Sequence, residues 1–185
     1  MTFEGFFNSD TKARVVKFFL CNHGRFFDVK EIAKRLALSS EKIKPHLKRL
    51  KEEGFLKTRS ARSFSISYHF PYVNELKALA LKFPLVSDAW IVKEAKRMKR
   101  LKLLLVAGAL VHAERARVEV LLVGDHVQGR TAEAFMRRME AQAARELRYA
   151  LMPTQDFLYR KKMFDRFVLD VLEYPHRVLI NKLKI

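Results

Sequence analysis

The sequence predicts an α+β protein in two domains, on three observations. Apolar residues recur at helical spacing through most of the first fifty positions. Between Ser63 and His69 the period drops to two, the signature of a half-buried strand. After residue 84, two apolar runs at 101–110 and 118–123 read as buried strands set among helical segments.

The elements follow in order. Residues 10–22 form a helix whose apolar side is Val15, Val16, Phe18, Phe19 and Leu20, with His23-Gly24 as a stop. After a short link through Phe26-Phe27, residues 29–36 make a second helix on Ile32, Ala33 and Leu36. Leu38-Ser39-Ser40 is a turn in which the Ser39 hydroxyl is expected to accept a free backbone N–H. A third helix at 40–53 carries Ile43, Leu47 and Leu50 at i, i+4 and i+7, and Gly54 ends it. Pro45 lies about a turn and a half inside, so this helix is expected either to begin later or to bend. Phe64, Ile66 and Tyr68 then alternate with Ser63, Ser65, Ser67 and His69, and residues 56–59 are the partner strand of a hairpin with its tip near Ser60-Ala61-Arg62. Helix, helix, turn, helix, hairpin is the order of a winged helix-turn-helix.

A further helix from Pro71, with Leu76, Leu79, Ala80 and Leu81 apolar, ends near Phe83-Pro84. The domain boundary is placed there, giving domains at 1–84 and 85–185. The second domain is expected to hold a small mixed sheet. Its order is a helix at 86–100, the two strands, a helix at 131–145, a strand at 147–152, a helix at 154–172 and a last strand at 177–180.

Charge narrows the partners. The 185 residues include 37 Lys and Arg against 20 Asp and Glu, a formal charge of +17, which favours polyanions. Cys21 stands alone, so no intramolecular disulfide forms and a reducing compartment is expected. The first residues lack the basic and apolar regions of a signal peptide, and the apolar stretch at 103–113 falls short of the about 20 residues needed to span a bilayer. A cytoplasmic protein without a membrane partner is the expectation.

Ser39-Ser40-Glu41-Lys42-Ile43-Lys44-Pro45-His46-Leu47-Lys48-Arg49-Leu50 resembles the recognition helix of ArsR-like winged-helix regulators. The likeness lies in Ser39, Ile43, His46, Leu47, Lys48 and Leu50, followed by the turn Glu52-Glu53-Gly54-Phe55-Leu56 and preceded by Val29-Lys30-Glu31-Ile32-Ala33. It spans roughly the first seventy residues. With Ile43, Leu47 and Leu50 turned to the core, Ser39, Ser40, Lys42, Lys44, His46, Lys48 and Arg49 are the expected DNA-binding residues, joined by Lys57, Arg59 and Arg62 of the wing. Glu52 and Glu53 fall at the helix end away from the expected DNA. His46 reads as a packing or phosphate-contact residue rather than a metal ligand. The same basic helix also suits RNA or a protein partner, and that alternative stays open.

The second domain resembles the minimal nucleotidyltransferase family. Leu103-Leu104-Leu105-Val106-Ala107-Gly108-Ala109 stands for the strand leading into Gly-Ser, and Val118-Glu119-Val120-Leu121-Leu122-Val123-Gly124-Asp125 for the strand that bears Asp-x-Asp. The departures matter more than the likeness. Arg117 and Glu119 occupy the positions of the catalytic aspartates, and Ala109 replaces the serine. In that family the paired carboxylates hold a divalent cation against phosphates, and arginine opposes it by charge. Glu146 is the one acid near the third strand. No catalytic residue, metal or cofactor is therefore expected, and Arg115 or Arg117 meeting a nucleotide's phosphates is a minor alternative.

Lys93, Lys96, Arg97, Lys99 and Arg100, with Lys102, place six bases in ten positions against Glu94. They either extend a DNA footprint or form a solvated helix face, whereas Arg160-Lys161-Lys162 reads as solvated surface. Taken together, the expectation is a sequence-specific double-stranded DNA-binding transcriptional regulator, a repressor first, acting as a homodimer as such regulators do. The rival from another class is a nucleotidyltransferase-family enzyme, or antitoxin-like protein, with an atypical site.

Overall fold

The Ser9 hydroxyl accepts the Lys12 amide at 3.2 Å and so starts helix α1, Asp10–Cys21. The computed structural model describes residues 7, 9–60, 63–113 and 115–185. Contacts group the chain into two units, Met1–Pro84 with Glu140–Arg145, and Leu85–Met139 with Glu146–Ile185.

In the first unit, α1 buries Val15, Val16, Phe18, Phe19 and Leu20. Strand β1 (Phe27–Asp28) leads into α2 (Val29–Leu36), where the Asp28 carboxylate accepts the Glu31 amide at 2.9 Å. A left-handed Ala37 (φ 49°) ends α2, and α3 (Ser40–Glu52) follows with Ile43, Leu47 and Leu50 buried. Gly54, at φ 78°, takes the chain on to β2 (Leu56–Ser60) and β3 (Ser63–Ile66), and α4 (Val73–Leu81) comes after. The strands form an antiparallel sheet in the order β1-β3-β2. Phe27 brings the sheet to the helices, its ring edge-on to Phe18 at 4.9 Å and to Phe19 at 6.4 Å. Burial of each such ring contributes about 1.5–3 kcal/mol.

Several expectations need correction here. Strand β1 falls where a link was expected; its two residues become a strand only by pairing Phe27 with Phe64. Ser39 takes the extended N-cap conformation but its hydroxyl makes no cap; its carbonyl receives the Lys42 amide instead. Pro45 does not delay α3, which begins at Ser40; the exposed ring leaves the Glu41 carbonyl without its intrahelical donor. Because β3 is the central strand, Ser65 is buried with Phe64 and Ile66, and alternation of buried and exposed residues is lost. Tyr68 lies beyond the strand end and is exposed.

The second unit opens with α5 (Asp88–Ala95), followed by β4 (Leu101–Ala107), β5 (Val120–Gly124), α6 (Gly129–Ala143, of which residues 140–143 group with the first unit) and β6 (Tyr149–Met152). Helices α7 (Thr154–Lys162) and α8 (Arg166–Glu173) and strand β7 (His176–Asn181) complete it. The sheet order is β6-β5-β4-β7, with β5 and β6 parallel and the other pairs antiparallel, so this sheet is mixed. Leu103, Leu105, Leu121 and Val123 pack from it against Phe157, Val168 and Val171.

Here the lengths differ from those expected. The helix at 86–100 is confined to Asp88–Ala95, because Lys96, Arg97 and Met98 bond backward to Val92, Glu94 and Ala95 in tightening turns that bury Met98. Strand β4 ends at Ala107 and gives way to a 3₁₀ turn, Gly108–Val111. The helix at 154–172 is two, divided at a left-handed Phe164 (φ 54°), after which the Asp165 carboxylate caps α8 by accepting the Phe167 and Val168 amides. No helix among the described residues is long and apolar enough to cross a membrane.

Candidate nucleic-acid interface

The same three residues that anchor α3 decide what it shows to solvent. With Ile43, Leu47 and Leu50 inward, Lys42, Lys44, Pro45, Lys48 and Arg49 are exposed, Ser39 is exposed at the turn, and Ser40 and His46 are half-buried. His46 turns toward the start of α1, its Nε2 lying 3.4 Å from Ser9 Oγ. It therefore ties two helices together rather than standing free.

The cations of α3 differ in how they are matched. Lys42 and Lys44 have no ion pair among the described residues. Lys48 meets Glu52 loosely at 3.9 Å, both groups being exposed. Arg49 donates from Nε to Glu53 at 2.9 Å, and Lys12 approaches the same carboxylate at 3.3 Å. Glu53 is thus a hub at the end of α3, a link from α1 to α3 that periodicity has no means of revealing. Glu41, an exposed acid in the first turn of α3, is likewise passed over by a reading of apolar spacing, and it adds a negative charge near Lys44 and Lys48.

On β2, Lys57 and Arg59 are exposed on the face opposite buried Leu56. Lys57 Nζ sits over the Phe26 ring at 5.8 Å. Arg62 lies outside the described residues. Lys57, Arg59 and the α3 cations all belong to the first unit.

In the second unit, Lys93 is exposed on α5, and Lys96, Arg97, Lys99 and Arg100 are exposed on the turns after it. They do not form one helix face, the second of the two alternatives, since the helix has already ended. Buried Glu94 takes Arg97 at 3.4 Å and Arg138 at 2.8 Å. Arg97 is accordingly part-matched, unlike Lys99 and Arg100.

Arg117 and Glu119, singled out in the sequence, are both held in ion pairs. Buried Glu119 accepts the Arg148 amide at 2.7 Å and its guanidinium at 3.0 and 3.3 Å, which raises the Arg148 pKa through the hydrogen bond first and the charge second. Arg117 Nε donates to Asp170 at 2.6 Å. A Cβ on Gly108 (φ 57°) would lie 2.9 Å from Ala116 Cβ and 3.2 Å from Glu119 Cγ, so the turn after β4 closes directly on this carboxylate. Among the described residues no group of three His, Cys, Asp or Glu is placed to hold a metal ion. Burial pushes the Cys21 thiol pKa up, against smaller opposing effects of Lys17 and Arg145.

The chain matches no family model, no curated protein and no solved structure. What α3 can do must be judged from its own chemistry. A two-turn face of exposed lysine and arginine on a rigid helix can exchange solvent and counterions for phosphates, and its long side chains can reach base-edge acceptors.

Proposed function

We propose that the chain binds double-stranded DNA with α3 as the recognition helix of a winged helix-turn-helix, and that it regulates transcription. The observation that carries this reading is the exposed basic face of α3, with Lys42, Lys44, Lys48 and Arg49 outward over a buried Ile43, Leu47 and Leu50. The β2–β3 hairpin supports it as the wing, since Lys57 and Arg59 are exposed on one face of β2, where phosphates or an adjacent groove come within reach. Sequence preference would come from contacts of α3 with base edges, and affinity chiefly from phosphates. A homodimer on two half-sites, acting as a repressor, is the arrangement that goes with this mode.

The second unit enters this reading as a nucleotidyltransferase-like domain that does not turn over nucleotides. Glu119 is held on both oxygens by Arg148, so its charge is already spoken for where a divalent cation would need it. The competing reading, an enzyme with an atypical site, predicts Mg²⁺-dependent turnover of a nucleoside triphosphate that Glu119→Ala abolishes.

The deciding experiment compares affinity for duplex DNA and for RNA at matched salt, after selection of a preferred sequence from a random duplex pool. Tighter binding of the selected duplex than of a scrambled duplex or RNA is the expected result. Equal binding of all three would reject a sequence-reading DNA protein.

A further inference from the structure

The edge of the mixed sheet where β5 and β6 both end carries a cleft of about 730 Å³. Lys99, Arg100, Lys102, Asp125 and Lys182 bring charge to it, from the entrance to β4, the exit of β5 and the exit of β7. The carboxyl ends of adjacent parallel strands are where open sheets present ligand crevices. The volume lies within the range of small-molecule sites.

Next to the lining residues Arg100, Leu101 and Asp125, the backbone approaches itself closely. A Cβ on Gly124 would lie 2.5 Å from the Arg100 carbonyl oxygen and 2.9 Å from Leu101 Cα, so glycine alone lets the start of β4 lie so near the end of β5. The Asp125 amide donates to that same Arg100 carbonyl at 3.2 Å, and the Lys182 amide donates to the Lys102 carbonyl at 2.8 Å. The basic side chains therefore spring from fixed backbone.

Their charge is not balanced from within. Asp125 is the one acid among the lining residues, and it is taken by Lys102 at 2.6 Å. Lys99, Arg100 and Lys182 are left without an acidic partner among the described residues. Three like charges around one concavity repel each other and raise its potential, and an anion with several negative groups relieves that cost. We propose that this cleft binds a small molecule bearing two or more phosphate groups. A small molecule is favoured over duplex DNA as the occupant because these cations converge from separate segments on one concavity of small-molecule size. Lys99 and Arg100 are on this account ligand-binding residues rather than part of a DNA footprint.

The test is calorimetric titration of the full chain with inorganic triphosphate, beside inorganic phosphate and sulfate at the same ionic strength. One triphosphate per chain is expected, bound more tightly than either smaller anion. Lys99→Ala with Lys182→Ala should weaken it about tenfold or more, since each removes a charge-assisted hydrogen bond. Lys99→Arg with Lys182→Arg should retain it. Lys30→Ala with Lys162→Ala, which changes net charge equally at exposed positions elsewhere, should leave it unchanged. No binding of triphosphate, equal binding of sulfate, or the same loss in both alanine pairs would overturn the proposal. So would displacement of bound triphosphate by a short duplex, which would assign these cations to nucleic acid. The titration with anions contains no DNA, so its failure leaves the proposed role of α3 untouched.

Discussion

On α3 of the first unit, Lys42 and Lys44 form no ion pair among the described residues and Lys48 reaches Glu52 only at 3.9 Å, whereas in the second unit Arg148 clasps a Glu119 side chain that is 6% exposed. Exposed pairs contribute about 0–1 kcal/mol, so the α3 cations give up little when they turn to a phosphate. A buried carboxylate that loses its partner is costly, so Arg148 is committed to the fold. The same residue types thus stand open to solvent in one place and are committed to architecture in the other, and burial of the acid makes the difference.

The glycines sharpen that contrast. Gly54 and Gly108 both have positive φ, but a Cβ at Gly54 meets nothing within 4 Å, while one at Gly108 collides with Ala116 and Glu119. Gly108→Ala is expected to cost about 2–4 kcal/mol, left-handed strain plus overpacking, and Gly54→Ala about 1–2 kcal/mol from strain alone. Chemical denaturation of the two variants checks the ranking; equal losses would mean that the turn after β4 yields easily and that Glu119 is not tightly enclosed.

Arg148→Ala should then destabilise the chain by about 1–3 kcal/mol through the unmatched Glu119 carboxylate. The lower part of that range is favoured because Arg148 is itself 63% exposed and water can take its place, and because the backbone amide of residue 148 still donates. Lys48→Ala should change stability by less than about 0.5 kcal/mol. Thermal melts at low and high salt measure both, and a loss at Lys48 as large as that at Arg148 would erase the distinction drawn between the units.

Legibility in the sequence follows the range of the interactions. Helices α1, α2 and α3 and their buried residues were readable because helical spacing is a local signal, and the outward cations of α3 came with it. Strand β1 was not, since two residues carry no period and Phe27 is a strand only through Phe64, far along the chain. The break at Phe164 escaped because neither glycine nor proline marks it. Within the site, Glu53 looks like a charge set apart until the fold brings Lys12 of α1 beside it. The cleft of the second unit was invisible for the same reason, its cations arriving from separate segments that meet only when β4 pairs with both β5 and β7.

Whether α3 meets DNA can be tested at two of its exposed lysines, the unmatched Lys44 and the loosely paired Lys48. Lys44→Ala with Lys48→Ala shortens two exposed side chains, so circular dichroism should report a folded variant. Titrated against the selected duplex over several salt concentrations, that variant should bind more weakly by at least ~1 kcal/mol. Its plot of log affinity against log salt should be shallower by about 0.9 for each phosphate that is no longer neutralised. A folded variant with unchanged affinity and unchanged slope would contradict the account and remove α3 from the interface.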